Sequence, residues 1–174
     1  ALMALIIVLL ALAAFPVTPA YAAACNSNGT GLWSSPLTWS CGHGRLALAD
    51  DVTIVAPHIV TVDVNTANVL SLTVNGTLTI GNDGTARTVT VAGSVLNAGT
   101  IASGATAATH SMIVGGNFTN NGTFTASPNA INVTLNSDFT NAGTFTAGNS
   151  NITIAGTSTQ SIASFTTTGT VAMT

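Results

Sequence analysis

The chain has 174 residues, of which only 4% are charged: two are Arg, five are Asp, and Lys and Glu do not occur. A nucleic-acid-binding protein needs clustered basic side chains to displace counterions from phosphates, so this composition excludes nucleic acid as a main partner. Abundant Thr and Val together with little charge favour a folded β-protein over a disordered chain.

The first segment of the chain has the layout of a secretory signal peptide. Residues 1–15 contain no polar side chain, Pro16 interrupts the apolar run, and small residues surround Ala22. A membrane-spanning helix needs about 20 apolar residues, so this run is too short for a permanent anchor. We predict a signal peptide over residues 1–22 with cleavage after Ala22, and no transmembrane segment in the mature chain.

The next segment, residues 23–50, is predicted to be an N-terminal cap. Cys25 and Cys41 are expected to form a disulfide, because a secreted chain enters an oxidising compartment. Trp33 and Trp39 lie between and beside them, and these large aromatic side chains are suited to cover the open end of an apolar core. In the alternative, Cys25 is the lipidated first residue of a lipoprotein, which leaves Cys41 without a partner.

Residues 51–174 carry an internal repeat. A Gly-Thr pair recurs with its Gly at 76, 99, 122, 143 and 169, at intervals typical of a solenoid. The residues four positions before and two positions after each Gly are apolar in all copies: Leu72, Val95, Phe118, Phe139 and Phe165, and Leu78, Ile101, Phe124, Phe145 and Val171. They alternate with polar residues, as in strands that bury one face. We therefore predict an all-β fold, a parallel β-helix with coils of about 21–23 residues; the alternative is a β-sandwich.

Two polar columns follow the same repeat. Two positions before the Gly stand Asn97, Asn120 and Asn141, on the core side, and we predict that their amides hydrogen-bond to one another along the solenoid axis. A second column points outward and forms a candidate binding face: Thr77, Thr79, Thr100, Thr123, Thr125, Thr144 and Thr146. A Thr array is typical of β-propensity on a solvated face, and a regular hydroxyl lattice also suits ice or a crystalline polysaccharide.

The sequence lacks the residues that catalysis on such a scaffold needs. Glycoside hydrolysis generally requires two facing carboxylates, but the later coils contain Asp138 alone among acidic residues. The three His, at 43, 58 and 110, have no close spacing and no Cys beside them in the coils, so we predict no metal site and no cofactor. The chain is predicted not to be an enzyme.

The order of motifs resembles known bacterial surface proteins. Gly31-Leu-Trp33, then Asp50-Asp-Val-Thr-Ile54, then Ser71-Leu-Thr-Val-Asn-Gly-Thr-Leu78 is similar to the start of secreted proteins of the pilus-associated type in the mannose-sensitive haemagglutinin system, and to the eight-glycine domain of extracellular β-helix proteins. Gly116-Asn-Phe-Thr-Asn-Asn-Gly-Thr-Phe124 resembles filamentous haemagglutinin and autotransporter passenger repeats. The resemblance implies a surface-exposed β-helix in a Gram-negative envelope and offers no catalytic residues to transfer.

From these observations we expect a secreted or cell-surface structural and adhesive protein, with carbohydrate or a host or cell surface as its partner. Two alternatives are an ice- or crystalline-polysaccharide-binding module that uses the Thr array, and a fragment of a β-helix carbohydrate-active enzyme. Because the sequence does not start with Met and residues 169–174 do not look like a terminal cap, we expect it to be a piece of a longer protein.

Overall fold

The computed structural model describes residues 23–42 and 46–174, so the predicted signal peptide over residues 1–22 lies outside the described residues. The described chain is a parallel β-solenoid of about six turns with a spacing of about 22 residues, which confirms the predicted fold. Three six-stranded parallel sheets run along its length. The sandwich alternative is wrong, because neighbouring strands come from successive coils and all run in the same direction.

Each complete coil contributes one strand to each sheet in turn, while the first described coil lacks a strand in the third sheet and the last has a strand in the third sheet only. The first sheet, in spatial order, contains β1 (Ala24–Asn26), β3 (Asp51–Ile54), β6 (Ser71–Val74), β9 (Val95–Asn97), β12 (Phe118–Asn120) and β15 (Phe139–Asn141). The second sheet contains β2 (Gly31–Leu32), β4 (Ile59–Val62), β7 (Thr77–Ile80), β10 (Thr100–Ser103), β13 (Thr123–Thr125) and β16 (Thr144–Thr146). The third sheet contains β5 (Thr66–Val69), β8 (Thr88–Val91), β11 (His110–Val114), β14 (Ile131–Leu135), β17 (Ile152–Ile154) and β18 (Val171–Met173).

The Gly-Thr repeat marks the bend between the first and second sheets. A Cβ atom on Gly99 would lie 2.1 Å from the carbonyl oxygen of Gly76, and one on Gly122 would lie 2.2 Å from that of Gly99. In the middle coils, the Thr that follows the Gly donates its backbone N–H to the Gly carbonyl of the preceding coil, from Thr100 to Gly76, from Thr123 to Gly99 and from Thr144 to Gly122 at 2.8–2.9 Å. Glycine recurs here because the stacked main chains leave no room for a side chain.

The core is a set of apolar columns inside the three sheets. Leu72, Val95, Phe118, Phe139, Leu78, Ile101 and Phe124 are all buried, whereas Phe145 and Phe165 are half-buried and pack against this core. The later coils hold a cluster of aromatic rings, in which the rings of Phe124 and Phe145 stack with centroids 4.4 Å apart. Since parallel coils superpose equivalent positions, one apolar residue per coil at each position produces a continuous column.

The last predicted copy of the repeat is wrong in its register. Val171 pairs with Ile152 in the third sheet and is 50% exposed, so it does not continue the column of Phe145. Thr166 bridges to Thr146 instead, which places the neighbouring Phe165 with the second sheet rather than the first. Gly169 lies at another close approach, since its Cβ would be 2.2 Å from the carbonyl oxygen of Ser150. The same steric demand for Gly therefore recurs at a different bend.

The predicted N-terminal cap also supplies the first coil. β1 pairs with β3 and β2 pairs with β4, so residues 23–32 belong to the solenoid itself. The Cys25–Cys41 disulfide is present, and it ties β1 to the segment that follows a 3-10 helix at Pro36–Thr38. Residues on either side of Trp39 run antiparallel to the outer edge of β1, with hydrogen bonds from Asn28 to Thr38 and from Ser40 to Asn26. This pairing covers the free edge of the first sheet.

Candidate functional site

The predicted binding Thr residues lie together on the outward side of the second sheet. Two files of outward side chains run along the solenoid axis on β7, β10, β13 and β16. In register, the first file contains Thr77, Thr100, Thr123 and Thr144, and the second contains Thr79, Ala102, Thr125 and Thr146. We call this surface the threonine face. Ala102 interrupts the second file once, as the sequence indicates. Strand pairing in register, without a slip, keeps every one of these side chains on the same side of the sheet.

The structure extends the threonine face at both ends. Thr61 of β4 pairs with Thr79, and Thr166 bridges to Thr146, so the second file covers six successive coils. With strands about 4.8 Å apart, six coils span roughly 24 Å, and the two files are about 6.6 Å apart along each strand. The first file begins at Ile59, which pairs with Thr77 and is 44% exposed. Neither Thr61 nor Thr166 follows a Gly in the repeat, so the Gly-Thr pattern does not reveal them.

The hydroxyl groups of the threonine face have no intramolecular partners among the described residues. The first sheet differs in this respect, because the Thr140 hydroxyl donates to the Thr119 hydroxyl at 3.2 Å and the Ser71 hydroxyl donates to Asp51. A free Thr hydroxyl offers one donor and two acceptor lone pairs, and its methyl group offers apolar contact. The threonine face therefore presents a periodic array of unused hydrogen-bonding groups that alternate with methyl groups.

Charged groups lie beside the threonine face and not on it. Asp63 and Asp83 line a depression of about 270 Å³ at its edge, together with Leu32, Thr61, Val62 and Asn82. Asp63 accepts hydrogen bonds from the backbone N–H and the hydroxyl of Ser34. The backbone N–H of Thr85, helped by the Arg87 guanidinium, lowers the pKa of Asp83. Both carboxylates are thus held in place by hydrogen bonds.

The predicted Asn ladder is built as a chain of amide hydrogen bonds inside the core. Asn97 Nδ2 donates to Asn120 Oδ1 at 2.7 Å, and Asn120 Nδ2 donates to Asn141 Oδ1 at 2.8 Å. Each donor also reaches a main-chain carbonyl of the second sheet, from Asn97 to Thr123 and from Asn120 to Thr144. Asn97 Oδ1 is buried without a partner because Val74 occupies the equivalent position in the preceding coil. The ladder joins the first and second sheets below the threonine face and has a structural role.

Sequence reasoning missed a polar cluster at the start of the third sheet. Arg87 is 6% exposed and His110 is 1% exposed, and both point inward. The Arg87 guanidinium contacts Asp83 and donates to Asn65 Oδ1 at 2.6 Å. The signal was present in the alternation of the strands, because His110 has the same parity as the buried Met112 and Val114.

Neither a cluster of potential metal ligands nor a helix able to span a membrane occurs in the part of the chain that the structure describes. Residues 23–42 and 46–174 contain no group of three or more His, Cys, Asp or Glu side chains that could hold a metal ion. Within the same ranges, no helix has the length and apolar character that crossing a bilayer requires.

Comparison with known proteins gives no relative from which a function could be transferred. No family model, no curated protein and no solved structure matches the chain. The geometry and chemistry of the threonine face are therefore the features that bear on function.

Proposed function

We propose that the chain is a secreted structural and adhesive protein of a bacterial cell surface, and that its threonine face contacts an uncharged carbohydrate or another uncharged surface. One observation carries this proposal: nine Thr residues lie in two in-register files on one sheet, and their hydroxyls have no partner among the described residues. A core or a structural ladder uses its polar groups internally, as the Asn ladder does, whereas this face leaves them available.

The architecture suits a stiff spacer. Three continuous parallel sheets stack coil on coil, so bending the solenoid would break hydrogen bonds in all three sheets at once. The Asn ladder and the aromatic cluster link successive coils further. A solenoid of this kind has a long surface for its mass, and repeat proteins use such extended surfaces for binding.

The disulfide supports an extracytoplasmic location. Cys25 and Cys41 are both used in one bond, and structural disulfides persist in oxidising compartments outside the cytosol. Together with the predicted signal peptide over residues 1–22, the disulfide favours secretion or outer-surface display. The bond also opposes the lipoprotein alternative, since a lipidated Cys25 could not be bonded to Cys41.

The proposal assigns no catalysis to the chain. Asp63 and Asp83 are each held by hydrogen bonds at the edge of the face, and Asp138 accepts from the backbone N–H of Ser161 in the following coil. These contacts give each carboxylate a role in turn or coil geometry, and none of them positions a pair of carboxylates across a cleft.

The experiment is depletion of the folded chain from solution by insoluble particles. Crystalline cellulose and chitin are incubated with the chain at low and at high salt, and anionic and cationic resins serve as controls. We expect retention on at least one glycan with no salt dependence, because the threonine face carries no charge whose attraction salt would screen. Retention only on charged resin, or retention that salt abolishes, would contradict the proposal.

A second candidate is an ice-binding module, favoured by the regularity of the same two files. Ice is an uncharged lattice of hydrogen-bonding groups, and a rigid array of hydroxyls and methyls in a fixed register can match one of its planes. The test is thermal hysteresis and ice-crystal shaping by the purified chain. A freezing point equal to the melting point, with unshaped crystals, removes this candidate and leaves the adhesive proposal intact.

A further inference from the structure

Four polar side chains meet where the loop over residues 81–87 enters the third sheet, and we call this cluster the His110 corner. Its members are Asn65, Asp83, Arg87 and His110, which three successive coils contribute. Thr88 pairs with Ser111, so Arg87 and His110 occupy equivalent positions in neighbouring coils. In the next coil the same position holds Ile131, which pairs with His110. An apolar residue therefore fits this position of the core.

The hydrogen bonds of the His110 corner require a neutral imidazole. His110 Nδ1 accepts the backbone N–H of Arg87 at 3.2 Å, so the ring proton is on Nε2. Nε2 is buried and has no partner among the described residues. The ring also packs directly on Gly81, where a Cβ would lie 2.3 Å from His110 Cε1. A ring held this closely has no free space in which to find a new partner.

A proton added to His110 would damage the corner in two ways. Nδ1 would become a donor facing the Arg87 N–H donor, and the imidazolium would carry a positive charge beside the guanidinium. The titratable and charged groups that face His110 are Arg87 and Asp83 of the preceding coil, while Ile131 of the following coil, and Asn65 one coil before Arg87, are uncharged. Burial first, and Arg87 second, lower the pKa of His110, and Asp83 opposes them more weakly.

The loop that the corner holds has few other attachments. Ala105 donates its backbone N–H to Asn82 Oδ1 at 3.1 Å, and Gly84 donates its backbone N–H to the Thr106 hydroxyl at 3.0 Å. Both bonds are exposed, so water competes with them. Gly81 also donates its backbone N–H to the Val62 carbonyl at 3.1 Å where the loop begins, and the rest of the loop depends mainly on the buried and half-buried contacts of Arg87.

We propose that the His110 corner is an acid-sensitive latch, which fixes the loop over residues 81–87 to the neighbouring coils at neutral pH and releases it when the surroundings become mildly acidic. The loop lies beside the edge of the threonine face, where Asn82 and Asp83 line the same depression as Thr61. Release would therefore change the shape of the surface next to the candidate binding site. The latch is independent of whether that face binds a glycan or ice.

The sign of the effect follows from proton linkage. Because the pKa of His110 is lowered in the folded chain, the unfolded chain binds more protons as pH falls below about 6.5, the ordinary value for His. The contribution of the latch is complete above that pH and declines below it. One titrating group changes an opening constant by at most about tenfold per pH unit.

The experiment compares the wild-type chain with His110→Gln and His110→Ile between pH 7.5 and 4.5. Gln keeps a neutral acceptor for the Arg87 N–H, and Ile copies the residue of the next coil, so either variant suffices if the other fails to fold. Amide hydrogen exchange is measured as protection relative to the intrinsic rate at each pH, at Gly84 and Ala105 in the loop region and at Gly122 at the opposite bend.

We expect wild-type protection at Gly84 and Ala105 to fall by up to about tenfold per pH unit below pH 6.5, while protection at Gly122 is unchanged. In either variant the loop amides should show no such pH dependence. Equal pH dependence in wild type and His110→Gln would overturn the latch, because the titrating group would then be another residue. Simultaneous loss of protection at Gly122 would also overturn it, because the event would then be global unfolding.

Discussion

Phe118→Ala tests whether the stacked coils share one continuous core. Phe118 is fully buried, and its ring centroid lies 5.4 Å from that of Phe139, 6.1 Å from that of Phe124 and 6.2 Å from that of Phe145. Truncation of a buried Phe to Ala typically costs about 3–5 kcal/mol, and the value rises when the surroundings cannot collapse into the cavity. Here coils on both sides hold the walls in place through the sheet hydrogen bonds. We therefore expect a loss of about 4–5 kcal/mol in the free energy of unfolding.

The assay is urea denaturation followed by far-ultraviolet circular dichroism, with Phe165→Ala as the matched control. Phe165 contacts Phe139 and Phe145 only at its edge, with centroids 6.3 and 6.2 Å apart, and it is half-buried in the last coil. Its truncation should cost less than half as much, since less apolar surface is buried there. If the two variants lose the same stability, or if Phe118→Ala loses less than about 1 kcal/mol, the columnar core is refuted.

Three further perturbations test other parts of the account by the same denaturation assay. Gly122→Ala should lower the free energy of unfolding by about 1–3 kcal/mol, because its Cβ would meet the Gly99 carbonyl oxygen at 2.2 Å. The control Gly29→Ala, which has open space around it, should be neutral. Equal effects would contradict the steric reason for the repeat. Asn120→Ala should lower the free energy of unfolding by about 1–3 kcal/mol, because it leaves the Asn97 and Asn141 amides without their ladder partner. Asn68 is exposed, so the control Asn68→Ala should leave the stability unchanged. A neutral Asn120→Ala would contradict the structural role of the ladder. The double variant Cys25→Ser with Cys41→Ser should lose about 3 kcal/mol in the free energy of unfolding, the value for a closed loop of this size. Because Trp33 and Trp39 lie in the first coil, their fluorescence should report its unfolding before circular dichroism reports the rest. Coincident transitions with wild-type midpoints would contradict the role of the disulfide.

Most of the fold could be read from the sequence because each coil repeats the same physical constraints. Gly76, Gly99 and Gly122 recur because stacked carbonyls leave no room for a Cβ, and the alternation around them identifies the buried positions. The in-register Asn and Thr columns then follow from parallel stacking alone. A nearly constant coil length, with parallel in-register pairing, turns one local pattern into a three-dimensional arrangement.

The last coil could not be read in this way because its length changes. Gly169 satisfies the same steric demand at a different bend, so the Gly-Thr pair at 169 and 170 imitates the repeat without continuing it. Thr166 takes the place in the second file that the repeat assigns to Ala172. A pattern based on one Gly cannot distinguish between two bends that both require Gly.

The His110 corner was missed for a different reason. Arg87 and His110 are 23 residues apart, as are the Gly residues of the repeat here, but the equivalent position holds Asn65 in the coil before and Ile131 in the coil after, so no residue type recurs there. The burial of His110 follows from strand parity, but its contacts require the register between β8 and β11. The corner lies at a position whose residue type changes from coil to coil.

The most direct test of the central claim, that the threonine face is the adhesive surface, is a binding isotherm on the particle that retains the wild-type chain. Thr123→Lys with Thr125→Lys places two charges on β13 in the middle of the face, and Thr88→Lys with Thr90→Lys places two charges at outward positions of β8 in the third sheet. We expect the first variant to lose at least tenfold in affinity, about 1.4 kcal/mol, because charged side chains would have to be desolvated against an uncharged surface, and the second to bind like wild type. Equal binding by the two variants would contradict the claim.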